Sequence, residues 1–354
     1  MLEENFHWAR KGVIMNLKEL WIKVRKVINK KYSKIRFSIR DKHKKLAEKY
    51  GYQPYMIARY EEMFDNELID FLEGNEIRIP SSIRCNDLKI QCNELIKKLK
   101  MKGMILAPIP WAPHGFWVLS SPISIGSTHE YLRGYYQIQG PASMIPAYIL
   151  DPKYYDVVLD AAAAPGVKTS QMAQLMKNQG IIIAVDISRE RMKALRSNIT
   201  RLGVYNVIAI RSDIRSLKFN KVFTKALLDA PCTGEGLIPM IPERKKSRSM
   251  DDLKYMSILQ AEMLLTVLEF VKEGGIVMYS TCSVAPEENE LVIDSVLEVY
   301  RHASIIAVQF PIGDRGFKEY FKLKFSVNME NAIRLYPYKH GTEGFFIAKI
   351  VKEG

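Results

Sequence analysis

Cysteine is scarce in this chain, with four among 354 residues, at positions 85, 92, 232 and 282. Cysteines this few and this scattered do not make a disulfide framework, and no pair has the two-residue gap of a zinc ribbon. The six histidines form no H-x-x-x-H cluster, so no metal site is expected. No stretch approaches the roughly 18–20 uninterrupted apolar residues of a membrane span. The opening residues MLEENFHW lack the cationic segment and apolar run of a secretory leader. Internal repeats and low-complexity linkers are missing as well. Together these absences lead to the expectation of a soluble, cytoplasmic protein with no membrane and no metal. At 47% hydrophobic and 26% charged residues, a wholly disordered or collagen-like chain is excluded. At about 100–200 residues per domain, the length suggests two domains with real cores.

What the chain has in excess is positive charge, 52 Lys+Arg against 39 Asp+Glu, or +13. Such a surplus favours an anionic partner, nucleic acid first, although a merely solvated surface has the same composition. The charge is uneven. Between Arg10 and Lys49 lie Lys23, Arg25, Lys26, Lys30, Lys31, Lys34, Arg36, Arg40, Lys42, Lys44 and Lys45. Leu17, Leu20, Trp21, Val24, Val27 and Ile28 recur among them at helical spacing, which predicts an amphipathic helix with a basic outer face. A second helical segment is expected from about Asp41 to Phe71, and Met15 is an alternative start.

Near residues 77–80 the texture changes. Ile83–Leu88, Leu95–Leu99 and Trp117–Leu119 read as short strands and a helix, with turn signals at 107–110 and 113–115. From about Tyr135 apolar strands alternate with helical segments: Val157–Leu159, Ile181–Val185, Val207–Ile210, Ala226–Leu228 and Gly275–Tyr279, with helices from about Thr169 and Arg189 and over Leu253–Val271 and Glu287–Val299. This alternation predicts an α/β fold, a Rossmann-like parallel sheet with helices on both faces. Ala332–Leu335 and Gly344–Ile350 look like closing strands. The expected division is a basic helical region over 1–76, a small α+β module over 77–134 and the larger α/β domain over 135–354.

Doubly wound sheets bind ligands at the carboxyl ends of their strands. The first such turn reads Asp160-Ala-Ala-Ala-Ala-Pro-Gly-Val-Lys-Thr169. Small side chains there let backbone N–H groups approach a ligand at a helix N-terminus. A P-loop is excluded by spacing, because the places of its two glycines hold Ala162 and Val167. The dinucleotide fingerprint G-x-G-x-x-G is absent too. Asp186 ends the second strand, where a carboxylate accepts from ribose hydroxyls, and Asp213 follows the third in the same way. Three strand-end carboxylates suggest a nucleoside-bearing cofactor with few phosphate contacts. The fourth and fifth strands run into Asp229-Ala-Pro-Cys-Thr-Gly-Glu-Gly236 and Ser280-Thr-Cys-Ser283. Each places a Cys just past a strand end, where both can face one pocket.

These motifs, with the following Pro286-Glu-Glu-Asn-Glu290, strongly resemble those of the Nop/Sun family of RNA cytosine-5 methyltransferases, in its archaeal-type tRNA and rRNA enzymes. The resemblance extends to Ile83-Arg-Cys-Asn-Asp-Leu-Lys89, Pro110-Trp-Ala-Pro113, Ser127–Gly134, Gln139–Ser143 and Leu335–Lys349, and covers most of residues 45–350. It implies a class I methyltransferase sheet preceded by a small RNA-recognition-like module. It further implies that Ala162, Ala163, Ala164, Pro165, Gly166, Val167 and Lys168 wrap S-adenosylmethionine. Asp186 would lie on its ribose, Asp213 at its adenine, and Asp229 near both cofactor and base. Cys282 would be the nucleophile and Cys232 would assist release of the product. Two positions depart from the family pattern: Cys is common where Ala162 stands, and Gly where Val167 stands.

Such chemistry accounts for the residue types. Carbon 5 of cytosine is a poor nucleophile until a thiolate adds at carbon 6, and a thiolate needs a lowered pKa or a base. Asp229 suits the ring-nitrogen and amino edge of the base, and Lys168 suits orienting Asp229 or the base. The group that removes the carbon-5 proton is Cys232 or a water. The implied partner is RNA, unstacked at its target base, with tRNA preferred over rRNA and the basic N-terminal region holding phosphates. A DNA methyltransferase would take its nucleophile from the Pro-Cys motif, and Thr281-Cys282 argues for the RNA class. A non-catalytic RNA-binding assembly factor would need none of Lys168, Asp229, Cys232 and Cys282. A monomer is expected.

Overall fold

The computed structural model describes residues 16–326 and 328–354. The β/α alternation folds into one large sheet. Five of its strands are parallel: Val157–Asp160, Ile181–Asp186, Val207–Arg211, Phe223–Asp229 and Val271–Thr281. Across the sheet the order is 207–211, 181–186, 157–160, 223–229 and 271–281. The winding therefore reverses between Val157–Asp160 and Phe223–Asp229, the switch point at which such sheets take ligands. Phe345–Lys352 is antiparallel to Val271–Thr281, and Ile333–Leu335 and Ala303–Ile306 both pair with its outer edge. Ala303–Ile306 has no counterpart in the sequence reading, because four residues are too few to show a period.

Successive side chains of a strand point to opposite faces, and the core divides accordingly. Val158, Ile182, Leu227 and Met278 pack toward helices Pro141–Leu150 and Val167–Leu175. Leu159, Leu228, Val277 and Tyr279 pack toward helices Met250–Phe270 and Glu290–Val299. Local chemistry sets the helix ends. The Ser188 side chain accepts from the Arg191 N–H at the start of Arg189–Leu202, and Gly203 ends it at φ 71°.

The helical N-terminal region differs from expectation in two ways. Its second segment, expected over 41–71, is three helices, Asp41–Tyr50, Pro54–Phe64 and Leu68–Gly74. Gly51 at φ 77° ends the first and Pro54 opens the second, breaks that hydrophobic periodicity alone does not register. Nor is the described part of this region, from Asn16 on, a unit of its own. Leu20, Val24, Ile28, Ile57, Tyr60 and Phe71 share one hydrophobic cluster with Leu159, Leu264 and Val292 of the large domain. The predicted helix, Leu17–Tyr32, buries Leu20, Val24 and Ile28 against helices 250–270 and 290–299. Its charges are partly consumed there: Lys31 Nζ lies 2.5 Å from Asp294 Oδ2 and 3.0 Å from Glu298 Oε2, and Arg25 pairs with Glu262. Lys26, Lys30, Lys34, Arg36, Lys44 and Lys45 are exposed. Arg10 and the alternative start at Met15 lie outside the described residues.

The small module is an antiparallel sheet in the order Ile105–Pro108, Gly115–Ser120, Ser82–Cys85, Tyr136–Ile138, with helix Cys92–Met101 packed on it. Its last strand lies beyond the expected boundary at residue 134, which would cut the sheet. The cysteine reading also needs correcting. Cys85 and Cys92 form a disulfide, with Cα atoms 5.7 Å apart, because the turn over residues 86–91 folds the start of the helix back onto the end of the strand. Arg84, buried in the same strand, joins the module to the large domain. Its guanidinium donates to Gln174 Oε1 (3.0 Å), Val167 O (3.0 Å) and Ser170 Oγ (2.9 Å) on the helix after the first strand-end turn.

Candidate active site

The turn after Val157–Asp160 is held from below. Asp186 is buried, and its carboxylate accepts from the Ala164 N–H at 3.1 Å and the Ser188 N–H at 2.9 Å. Gly166 has φ +92° and sits against Leu195, so the turn needs glycine there before the helix begins at Val167. A cavity of about 250 Å³ opens above it, lined by Gln139, Gly140, Ser143, Asp160, Ala162–Pro165, Val167, Lys168, Arg191 and Asp229. Two carboxylates, Asp160 and Asp229, face a wall of alanines. The donor set suits a cationic ligand approached closely by backbone, and Gly140 has no room for a Cβ because it would overlap the Glu343 carboxyl.

At the cavity's edge Lys168 Nζ lies 2.7 Å from Asp229 Oδ2 and donates to Ser143 Oγ at 2.9 Å. Ser280 Oγ donates to Asp229 Oδ1 at 2.7 Å. Asp229 and Ser280 are register partners of the paired strands 223–229 and 271–281, so the sheet itself orients Oδ1, while Lys168, on the helix Val167–Leu175, holds Oδ2. Just beyond, the half-buried Cys232 and Cys282 come together with their Sγ atoms 3.1 Å apart. The Cys232 thiol is pushed well above the ordinary thiol value, first by its hydrogen bond to Cys282, then by burial and the charges of Cys282, Glu288 and Asp229. It therefore stays protonated at neutral pH, and in the contact between the two sulfurs either can be the donor.

Two contacts tie the Cys-bearing loops together. The Thr233 N–H and Oγ1 donate to Glu288 at 2.8 and 2.6 Å, and the Gly236 N–H donates to the Cys282 carbonyl at 3.0 Å. A Cβ at Gly236 would overlap the Gly344 carbonyl and crowd that of Cys282. Gly236→Ala is accordingly expected to destabilise the fold by about 1–3 kcal/mol, read as a lowered melting temperature in calorimetry; an unchanged melting temperature would show that the loops are not packed this closely.

Burial pushes two carboxyl groups here up to about 7: Asp160, against the hydrogen bond from Thr169, and Glu288, against those from Ser283 and Thr233. Both bind a proton in the folded chain that they release on unfolding at neutral pH. Their contribution to stability is complete below about pH 4 and is lost as pH rises through about 7. Glu288→Gln imitates the protonated group. The fall in melting temperature from pH 5 to pH 8 is expected to be smaller in this variant than in the wild type; equal slopes would place the Glu288 pKa near its ordinary value.

Of the residues expected from the sequence, the structure gathers Ala162, Ala163, Ala164, Pro165, Val167, Lys168 and Asp229 around the cavity, with Cys232 and Cys282 beside Asp229. Gly166 and Asp186 shape the turn without lining it. Asp213 is elsewhere. Its carboxylate is held below the usual range by Arg215, whose Nη2 lies 2.7 Å away. It borders a separate cavity of about 750 Å³ with Trp21, Arg25 and Glu262. Ser143, Arg191, Ser280 and Glu288 were not expected, and Asp160 was read only as one of the three strand-end carboxylates. Asp160 was marked by its strand end and Ser143 by its Gln-Gly-Pro-Ala-Ser motif, whereas nothing local marks Arg191.

Residues 147–351 match the family described as 16S rRNA methyltransferase RsmB/F, and residues 54–141 match the N-terminal domain of 16S rRNA methyltransferase RsmF. A human 28S rRNA (cytosine(4447)-C(5))-methyltransferase is 39% identical over 318 residues, covering 87% of this chain and 39% of that protein. A tRNA (cytosine(49)-C(5))-methyltransferase from Pyrococcus abyssi is 37% identical over 300 residues, covering 84% and 95%. The chain thus spans two fifths of the length of its mammalian relatives. Among solved structures, a methyltransferase homolog protein from Pyrococcus horikoshii has TM-score 0.79 at 41% identity, covering 88% of this chain and 99% of that one. NSun6 from the same organism, solved with SFG, has TM-score 0.74 at 26% identity, covering 84% and 97%.

Proposed function

Since the chain belongs to the RsmB/F family, the Nop/Sun RNA cytosine-5 methyltransferases, we propose that it transfers a methyl group from S-adenosylmethionine to carbon 5 of a cytosine in RNA, through a covalent link between Cys282 and the base. The observation that carries this reading is the pair of thiols 3.1 Å apart beside the Lys168–Asp229–Ser280 chain. S-adenosylmethionine, when bound, supplies an electrophilic methyl group on a sulfonium. The residues present fit it: the small side chains of Ala162–Pro165 admit close backbone approach, Asp229 sets negative charge against a cation, and Asp186, at the end of the neighbouring strand, keeps lone pairs beside those that brace the turn and is the carboxylate this reading gives to the ribose.

Cys282, as thiolate, adds to carbon 6 as the carbon 5–carbon 6 π bond opens, its electron pair moving into the ring so that carbon 5 becomes nucleophilic like an enamine carbon. Asp229, held by Lys168 and Ser280, accepts from the amino group of the cytosine and fixes its edge without reorganising. After transfer, carbon 5 loses its proton to a water, since Cys232 already holds its own, and the carbon 6–sulfur bond breaks to return Cys282 as thiolate. Cys232, kept as a thiol, faces that departing sulfur as a hydrogen-bond donor. A base in a duplex cannot meet both a thiolate and a cofactor, so the RNA presents it unstacked. The small module and exposed residues such as Lys26, Lys30 and Lys34 hold the surrounding phosphates.

We assign tRNA as the substrate, supported by the near end-to-end match to an archaeal tRNA enzyme, and a monomeric, cytoplasmic state. The rRNA reading is favoured by the family's description and by the mammalian relatives. Bisulfite mapping of total RNA from cells with and without the gene distinguishes them. Loss of a protected cytosine in a tRNA supports the first, loss in rRNA the second, and no lost site in any RNA refutes the activity.

A further inference from the structure

We propose that Arg59, on the helix Pro54–Phe64 outside the catalytic sheet, is a positioning residue that fixes the separation of the Cys232 and Cys282 thiols. The inference rests on the methyltransferase reading for its consequence but not for its geometry. Arg59 is completely buried. Its Nε and Nη2 donate to the two oxygens of Glu287 at 2.8 and 2.7 Å, and its Nη1 donates to Glu235 Oε1 at 2.9 Å. Glu235 lies three residues past Cys232, and Glu287 five residues past Cys282. One guanidinium therefore grips both Cys-bearing loops at once. The grip continues to the thiols, because Gly236, next to Glu235, donates its N–H to the Cys282 carbonyl. Tyrosine hydroxyls hold the remaining freedom of the carboxylates, Tyr60 on Glu235 Oε2 at 3.2 Å and Tyr320 on Glu287 Oε1 at 3.0 Å.

None of these groups lines the cavity of Asp160 and Asp229, so they act on the reaction only through the loops. Stability alone does not call for them, since apolar residues of matching volume commonly replace a buried ion pair at little or no cost. What a guanidinium adds is direction. Its rigid fork of donors sets the angle and distance between two carboxylates, which the compact ammonium of lysine cannot do. A nucleophile and its partner thiol need that kind of control, since displacement by about 1 Å can lower a rate 10²-fold.

The test uses the full chain in three forms: wild type, Arg59→Lys, and the triple variant Arg59→Met/Glu235→Gln/Glu287→Gln, which removes the buried charges together so that none is left uncompensated. Circular dichroism confirms folding. Phenylarsine oxide, which bridges two neighbouring thiols with release of water, reports thiol separation without RNA or cofactor, with Cys232→Ala as the blank. Both variants are expected to bind it at least tenfold more weakly than wild type. Their kcat for methyl transfer is expected to fall at least tenfold, while KM for S-adenosylmethionine stays within twofold. A folded variant of either kind that bridges as well as wild type overturns the proposal, and should the triple variant fail to fold, Arg59→Lys carries the same readouts. Should wild type bridge the reagent but methylate no RNA, the activity falls, while weakened bridging in the variants still supports the positioning role.

Discussion

Cys282→Ala is expected to abolish methyl transfer, lowering kcat by on the order of 10³-fold or more, because without the carbon 6 adduct the ring never becomes nucleophilic at carbon 5. The loss should be chemical rather than structural. The backbone carbonyl of Cys282 still receives the Gly236 N–H, and Thr281 Oγ1 still donates to Asn289 Oδ1 at 2.6 Å. Asp229 keeps both Lys168 and Ser280. Binding of S-adenosylmethionine, measured by calorimetry, should therefore remain near wild type. A variant that turns over at the wild-type rate would remove Cys282 from the reaction.

Cys232→Ala is expected to do something different: to accumulate an RNA–protein adduct that survives denaturing electrophoresis. Cys232 holds its proton more firmly than an ordinary thiol and faces the Cys282 sulfur at 3.1 Å. Its removal leaves addition possible while taking away the donor that eases departure of that sulfur. The adduct should require Cys282, so that the double variant Cys232→Ala/Cys282→Ala gives none. If Cys232→Ala instead removes all activity and Cys282→Ala traps RNA, the two roles are exchanged and the Pro-Cys thiol is the nucleophile. Both single variants carry the same truncation in the same pocket, so a difference between them reports chemistry and not packing.

The two thiols illustrate how far local pattern reaches. Asp229-Ala-Pro-Cys and Ser280-Thr-Cys are legible because each follows an apolar strand, and strand ends in such sheets converge. Asp186 was legible by the same rule, yet the structure uses its oxygens to brace the Ala164 turn. Asp213 stands past its strand end as the rule requires, and there its carboxylate accepts from the backbone N–H and guanidinium of Arg215, two residues on. The break at Gly51 and Pro54 was present in the sequence but overrun by the helical period around it. The Cys85–Cys92 disulfide was passed over because spacing alone does not show that a turn returns the chain to its own strand end.

From sequence alone came the α/β alternation, the alanine turn and the residues fit to do the chemistry. These rest on interactions within a few residues: hydrophobic period, turn chemistry and motif spacing. Only the tertiary structure decided that Cys232 and Cys282, 50 residues apart, touch. Only it showed that Arg59 meets carboxylates 176 and 228 residues away, and that the basic helix turns its apolar face into the catalytic domain. Contacts of that range are set by which faces pack together, and a stripe of Leu, Val and Ile names a face without naming its partner.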